Sequence, residues 1–340
     1  MRKLLLPCLL LFSFGFSQIL TIRPSLPIIK VFKNHDEHSS GKAEEGDYST
    51  EDYSYNVSDV DYLEVKFDYS LGSLNIKAGE KNMIIGTIKY NSEDFTPVVN
   101  YENYGSKGVF TAKLKSGHAR DEDEFSHSRS RSSSRSHSSE SADEEDDGIR
   151  FSFDFSDLNN EYSQEFDFKL PPEILINLEL DFGVGETDID LTDLTISNLE
   201  MDCGLSDTKI KIDKPNKTKC KEIYIESGLG DLNAYGLGNL RAKYINLDIG
   251  LGSAYIDLST QKNDLVGDIE VGLGSLDLVL PEKANITLRV EDSFLSSIDV
   301  DEMVKTGHKE WSTTDFNERY PNIELDISIG LGSVDVDLVK

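Results

Sequence analysis

The stretch DIGLGSAYIDL, residues 248–258, has two close copies, EVGLGSLDLVL at 270–280 and SIGLGSVDVDL at 328–338. Four looser copies precede them: FDYSLGSLNI (67–76), LDFGVGETDIDL (180–191), MDCGLSDTKIKI (201–212) and IESGLGDLNA (225–234). The first glycines of the five middle copies recur at nearly constant spacing, and they are Gly183, Gly204, Gly228, Gly250 and Gly272. A fixed period of about 22 residues predicts a stack of similar coils, each resting on the next.

The apolar residues change phase at every glycine pair. Leu247, Ile249 and Leu251 occupy odd positions, whereas Ala254, Ile256 and Leu258 occupy even ones. A slip of one residue turns the second half of a strand inside out unless the backbone bends there. Glycine accepts positive φ and close approach of a neighbouring chain, so each pair predicts a corner between two strands. The unit is then strand, corner, strand and a connector strand such as LTDLTISNLEMD (191–202).

The same glycines exclude a nucleotide site. A phosphate-binding loop opens a helix, and a dinucleotide turn needs a third glycine three residues further on. Gly250-Leu-Gly252 is followed by an alternating strand instead, and the chain has no Gly-Lys-Ser or Gly-Lys-Thr. No cofactor is therefore expected.

The fold class predicted from these patterns is all-β. We expect a β-solenoid, a right-handed stack like a parallel β-helix, with coils of about 22 residues and a disordered insert. Cys203 occupies the ladder position of Ile249 and Val271 and is predicted to point inward. That position favours a buried free thiol, although an oxidising compartment would permit a bridge to Cys220.

Composition divides the chain into segments. Residues 1–17 pair a basic start with a short apolar run and small residues before Gln18, as in a cleaved signal peptide. Residues 18–58 are expected to be a mostly disordered linker with one early strand. A single solenoid domain is expected over 59–340, interrupted by an insert at 117–148. That insert is rich in serine and acids and has Phe125 as its only large apolar residue, so we expect it to be disordered.

The formal net charge of −29 limits the partners. Nucleic-acid binding is excluded because neutralising phosphates requires clustered cations. No later stretch approaches the length of a spanning helix, so no stable membrane insertion is expected after signal cleavage. The expected location is extracytoplasmic, either the periplasm or the cell surface and medium.

The run LPPEILINLELDFGVGETDIDLTDLTISNLEMDCGLSDTKIKI, residues 170–212, resembles the bacterial toast-rack family. The blocks IYIESGLGDLNAYGLGNLRAKYINLDIGLGSAYIDL and GDIEVGLGSLDLVLP extend the resemblance, and LEVKFDYSLGSLNIKA resembles the opening of that family. The resemblance implies an exported, β-helix-like protein related in repeat style to envelope-stress regulators and adhesin-like domains, with no established catalytic residues. Ser206 departs from the pattern, since it replaces the second glycine of its copy.

A few residue types could carry chemistry. His308, within VKTGHKEW, is expected to be an exposed loop histidine, and Trp311 either plugs the end of the core or forms a sugar platform. His118, His127 and His137 in the insert could touch a metal loosely, but solvation is favoured. Six aspartates after the corners could stack as a solvated acidic ladder or hold Ca²⁺: Asp188, Asp190, Asp257, Asp277, Asp335 and Asp337.

These observations predict a non-catalytic, exported protein of the cell envelope with a structural or binding role. An envelope protein or a glycan is the expected partner. The alternatives are a surface adhesin and a carbohydrate-active β-helix enzyme. No catalytic, cofactor-binding or metal-binding residue is assigned, since no acid, base and oxyanion set can be named.

Overall fold

The computed structural model describes residues 48–116, 164–292 and 295–340. The predicted signal peptide, most of the predicted linker and the insert at 117–148 lie outside these ranges. Within them the strands are β1 (Tyr48–Asn56), β2 (Tyr62–Ala78), β3 (Met83–Asn91), β4 (Phe95–Tyr104), β5 (Lys107–Ser116), β6 (Glu165–Leu170), β7 (Leu175–Asp190), β8 (Thr195–Lys211), β9 (Glu222–Leu229), β10 (Leu232–Tyr235), β11 (Tyr244–Asp257), β12 (Leu265–Pro281), β13 (Asn285–Asp292), β14 (Ser296–Val300), β15 (Val304–Gly307), β16 (Glu310–Ser312) and β17 (Asn322–Val339). A short 3-10 helix covers Leu237–Leu240. The all-β prediction is confirmed.

The long strands stack in parallel. Tyr244 of β11 lies opposite Val266 of β12, and the same offset continues through Asp257 opposite Val279. The order along the stack is β2, β7, β8, then β9 with β10, then β11, β12 and β17. The repeat identified in the sequence is therefore the repeat of the stack.

Each long strand bends at its glycine pair and so contributes to two surfaces. We call the surface before the pair (244–249 in β11) the first face and the surface after it (254–257) the second face. Turns at 191–194, 212–221, 236–243 and 258–264 close the coils along a third side. The predicted connector strand is wrong, because the residues TISNLEMD already belong to β8, the next long strand. Hydrogen bonds between turns, such as Asn216 N to Asn239 O at 2.8 Å, hold the third side together.

The glycine pairs are needed for both reasons that the sequence suggested. Gly274 has φ 152°, and a Cβ there would lie 1.7 Å from the carbonyl oxygen of Gly252. Gly250 shows the close approach of the neighbouring coil without a positive φ, since a Cβ there would lie 2.4 Å from Gly228 O. Ser206 departs from this pattern. It is buried opposite Gly185, and β8 passes through it without a positive φ.

The core consists of ladders of inward apolar side chains, one from each coil. One ladder consists of Leu180, Met201, Ile225, Leu247, Ile269 and Ile327, each at most 1% exposed. Burial of each such side chain contributes roughly 1.5–3 kcal/mol. Because a single coil cannot bury its inner surface, the stack is stabilised mainly by contacts between coils.

At the start of the stack, β5 and β6 together occupy the position of one coil below β2. β5 pairs with the first half of β2 and β6 with its second half. β5 therefore ends, and β6 begins, beside the corner of β2 that contains Gly72. β2 itself rests on β7, so the region before the insert belongs to the same sheet.

One strand of the sheet, β1, comes from the segment 18–58 expected to be a linker with one early strand. β1 lies within the segment expected to be mostly disordered and pairs antiparallel with β3 along its whole length. Tyr53 and Tyr55 are buried, and the ring of Tyr55 lies 5.7 Å from that of Phe110. Tyr53 and Tyr55 thus form the buried apolar side of β1, whose neighbouring residues are polar or acidic.

At the other end of the stack, the last strand of the chain is not the outermost one. β17 lies between β12 on one side and β13 with β14 on the other, and it is parallel to all three. β13 and β14 form a further coil that lacks the glycine pair, so the sequence does not show it as a copy of the repeat. The β15–β16 hairpin then pairs antiparallel with β13.

Candidate functional site

A continuous row of carboxylates runs along the first face. In-register pairing places one acid on each of six successive coils, in the order Asp68, Asp181, Asp202, Glu226, Asp248 and Glu270. Neighbouring strands are about 4.8 Å apart, so the row is about 24 Å long. We call these six residues the acidic ladder.

The local sequence explains why the ladder forms. Each member lies two residues before the first glycine of its copy, or before Ser70 in the first copy. It points away from the core because its neighbours in the strand, such as Leu247 and Ile249, point inward. Six of the seven copies carry Asp or Glu at this position, and Ser328 replaces it in the last copy. The sequence prediction missed this recurrence because it considered only the aspartates after the corner.

Like charges stacked in register repel one another. The pKa of Asp202 is raised above its ordinary value by partial burial first and then by the negative charges of Glu226 and Asp181. The ladder therefore carries an electrostatic cost that a cationic partner would relieve.

Cations of the protein neutralise the two ends of this face but not its middle. Lys113 Nζ lies 2.5 Å from Asp68 at one end. At the other end Arg289 lies 2.8 Å from Asp326, in the next row. Among the described residues, no lysine or arginine forms an ion pair with Asp181, Asp202, Asp248 or Glu270. The uncompensated charge is therefore concentrated at the centre of the first face.

The six aspartates selected from the sequence do not form the predicted ladder. On the second face Asp188 is separated from Asp277 by Lys209, Asn233 and Tyr255. Asp190, Asp257 and Asp337 lie one row further along and are likewise interrupted, by Lys211, Tyr235 and Val279. The prediction of one continuous ladder there is wrong, because the coils do not repeat the residue type at those positions.

A short acidic run does occur on the second face. Asp277, Asp335 and Asp299 lie on three successive strands. The pKa of Asp335 is raised by partial burial, with smaller contributions from Asp277 and Asp299. This run has half as many members as the acidic ladder.

An open cavity of about 400 Å³ lies on the second face near the start of the stack. Its lining includes Glu186, Asp188, Asp207 and Lys209. Asp188 is 3.3 Å from Lys209 Nζ, and Asp207 Oδ1 accepts a hydrogen bond from Asp231 N at 3.1 Å. Two of these carboxylates are thus already engaged by the protein itself.

The two cysteines of the described chain are buried and free. Burial raises the pKa of both the Cys203 and the Cys220 thiols to about 12. Thr208 Oγ1 donates to Cys203 Sγ at 3.9 Å. The inward free thiol predicted at Cys203 is confirmed, and both sulfurs remain protonated at neutral pH.

His308 and Trp311 lie on the β15–β16 hairpin. His308 is exposed in the turn, as predicted. Trp311 lies opposite Leu288 of β13 and packs against the core, and Lys305 Nζ lies 4.8 Å from its ring centroid. These contacts favour the core-plug interpretation of Trp311 over the sugar platform.

The described ranges lack two kinds of feature. No group of three or more His, Cys, Asp or Glu side chains there is arranged to hold a metal ion. No helix in the same ranges is long and apolar enough to cross a membrane.

The chain matches a known protein family. Residues 44–235 match the family described as the N-terminal domain of toast_rack, DUF2154, which is more than half of the chain. The chain belongs to this family. The resemblance noted in the sequence is confirmed, and the match ends at Tyr235, the last residue of β10, so the toast-rack stack continues here through β11, β12 and β17.

Two solved structures are similar to this toast-rack protein. A proposed cell adhesion protein from Clostridium sporogenes is 16% identical, with a TM-score of 0.44, over 86% of this chain and 100% of the other. A proposed adhesin from Bacteroides fragilis is 13% identical, with a TM-score of 0.38, over 87% of this chain and 100% of the other. No curated protein matches the chain.

Proposed function

We propose that this protein is a non-catalytic, extracytoplasmic binding protein of the cell envelope, and that its acidic ladder contacts a basic segment of another envelope protein. The acidic ladder is the observation that carries the proposal. It places like charges one coil apart on a rigid surface, with Asp181, Asp202 and Asp248 left without an ion pair within the described chain.

A basic peptide fits this surface better than a compact cation does. The carboxylates are spread over about 24 Å in one row, whereas a bound divalent ion needs several oxygens within about 2.6 Å of one point. An extended segment with lysines or arginines would place successive charges against successive coils. The carboxylates from Asp181 to Glu270 are exposed, so such a segment would reach each of them.

The experiment measures binding of a fluorescent ten-residue lysine peptide to the full chain by anisotropy. The triple variant Asp181→Asn, Asp202→Asn, Glu226→Gln is expected to weaken binding at least tenfold. The matched control is Asp277→Asn, Asp299→Asn, Asp335→Asn, which removes the same charge from the second face and should change affinity less than twofold. Equal losses in both triples would show that only net charge matters, and the proposal would then be wrong.

The location is tested separately. Fractionation of cells that express the full chain, with mass spectrometry of the N-terminus, should find the protein outside the cytoplasm and beginning at Gln18. Recovery in the cytoplasm with residues 1–17 intact would contradict the extracytoplasmic assignment.

A further inference from the structure

An unusual cluster of lysines lies in this acidic chain. The segment KIKIDKPNKTKCK, residues 209–221, is rich in lysine, although the whole chain has 34 Lys and Arg against 63 Asp and Glu. Lys209, Lys211 and Lys214 form ion pairs with Asp188, Asp213 and Asp193. The other three, Lys217, Lys219 and Lys221, are exposed on the third side.

The next coil extends this group. Lys243 N donates to Cys220 O, and Tyr244 N donates to Lys221 O, both at 3.2 Å. These bonds place Lys221 and Lys243 side by side on adjacent coils. Arg241 lies two residues before Lys243, as Lys219 does before Lys221. We call Lys217, Lys219, Lys221, Arg241 and Lys243 the lysine strip.

The protein fixes parts of the strip without neutralising it. Lys217 Nζ donates to Pro172 O at 2.9 Å, and the guanidinium of Arg241 donates to Asn216 O at 3.2 Å. Both acceptors are uncharged carbonyls. Within the described chain, Lys221 alone among the five approaches a carboxylate, that of Glu222, at 3.9 Å. The strip therefore keeps nearly all of its positive charge.

Exposed apolar groups adjoin the strip. Tyr244 is 41% exposed, and Val266, opposite it on the next coil, is 50% exposed. Lys243 Nζ lies 4.7 Å from the centroid of the Tyr244 ring. A tyrosine ring beside ammonium groups offers an apolar surface and positive charge together.

We propose that the lysine strip, with Tyr244 and Val266, binds an anionic polysaccharide. The ammonium groups and the guanidinium contact carboxylate or sulfate groups repeated along the sugar chain. The tyrosine ring and the valine contact the C–H face of a sugar ring. The strip crosses two coils on a surface that the hydrogen-bonded stack holds rigid. Binding therefore costs the protein little conformational entropy.

The acidic ladder argues against an anionic membrane as the ligand. Asp248 follows Lys243 by five residues on β11, a distance of about 16 Å. A bilayer is far wider than about 16 Å, so it would also face the negatively charged surroundings of the strip, whereas the Debye length is only about 8 Å. A single polysaccharide chain is narrow enough to follow the strip and to remain beyond that distance.

The experiment uses the full chain and polygalacturonate as the probe, with affinity measured by biolayer interferometry at low salt. The triple variant Lys219→Glu, Lys221→Glu, Lys243→Glu is expected to lose at least tenfold in affinity. Its control, Lys77→Glu, Lys81→Glu, Lys115→Glu, changes the net charge equally at exposed lysines elsewhere and should lose less than threefold. Equal losses would overturn the proposal.

Two further measurements separate the ligand classes. Tyr244→Ala should weaken binding of polygalacturonate about fivefold and leave binding of inorganic polyphosphate nearly unchanged, and equal weakening of both probes would contradict sugar contact. Vesicles of phosphatidylcholine and phosphatidylglycerol, mixed two to one, should not bind, and strip-dependent vesicle binding would replace the polysaccharide with a membrane. Because these variants leave the acidic ladder intact, the outcome is independent of the lysine-peptide test.

Discussion

Gly274 shows at the residue scale how the stack is held. Its φ of 152° is unfavourable for any side chain, and its α-carbon faces the carbonyl of Gly252 so closely that a methyl group cannot be placed there. The same contact recurs where Gly252 meets Gly230 and where Gly332 meets Gly274. The corner glycines thus form a column in which the carbonyl oxygen of one glycine occupies the space that a Cβ would need on the next.

Replacing Gly274 by alanine should destabilise the protein by more than about 3 kcal/mol, because backbone strain and a clash with fixed backbone add. The control is Gly105→Ala, which has φ 74° but open space around the added carbon and should cost about 1–2 kcal/mol. Urea denaturation compares the two. Similar costs would mean that φ alone makes glycine necessary at the corner.

Asp202 gives a pH-dependent prediction. Its pKa in the folded state is raised above the ordinary value of 3.8, so the folded state binds this proton more tightly than the unfolded chain does. Ionised Asp202 therefore destabilises the folded state. This destabilisation is absent at low pH, where Asp202 is protonated in both states, and it grows as the pH rises from 3.8 through the folded pKa. It is complete at neutral pH.

Asp202→Asn should therefore stabilise the protein by about 0.5 kcal/mol at pH 7 and by nearly nothing at about pH 3. Urea midpoints at the two pH values measure the difference. Asp167→Asn is the control, because Asn75 and Thr87, its partners on the adjoining strands, are uncharged. A gain that persists unchanged at low pH would exclude charge repulsion as the cause.

β17 shows at the scale of elements that chain order and stacking order differ. The chain leaves the stack after β12, forms the outer coil of β13 and β14 and the β15–β16 hairpin, and then returns to place β17 inside. The start of the stack mirrors this arrangement, with β2 enclosed between β7 and the later strands β5 and β6. At both ends, strands that are not regular repeats therefore cover a repeat coil, which protects its edge from pairing with other chains.

Hydrogen exchange should show this enclosure directly. Amides of β17 should exchange as slowly as those of β12, because both strands are bonded on two sides and bury their inner residues. β15, whose residues are all exposed, should exchange at least a hundredfold faster. Peptide-resolved mass spectrometry makes the comparison, and a β17 that exchanges as fast as β15 would contradict its interior position.

At the scale of the whole molecule, charge is sorted among the surfaces of the stack. The first face carries the acidic ladder, the third side carries the lysine strip, and the second face mixes both signs with Lys209 beside Asp188. Stacking converts a residue type repeated once in each coil into a continuous row. The acidic ladder follows from this conversion, whereas the lysine strip arises where the turns of two neighbouring coils both carry cations.

Much of this was predictable from the sequence. The period, the phase change and the inward position of Cys203 follow from local periodicity, because an in-register stack copies each position from coil to coil. The acidic ladder is also visible in the sequence, because an acid recurs two residues before the first glycine of a copy, as in Asp202 and Asp248. The prediction rested instead on the aspartates after the corner, whose residue type the coils do not repeat.

Other features required the tertiary structure. The sequence by itself determined the coil, since a glycine pair and an alternating pattern leave few conformations for each repeat. It did not determine that β17 lies inside β13 and β14, because this depends on which coils meet. Such contacts are set by burial of apolar surface between segments distant in sequence, and only the assembled stack decides which pairing buries the most.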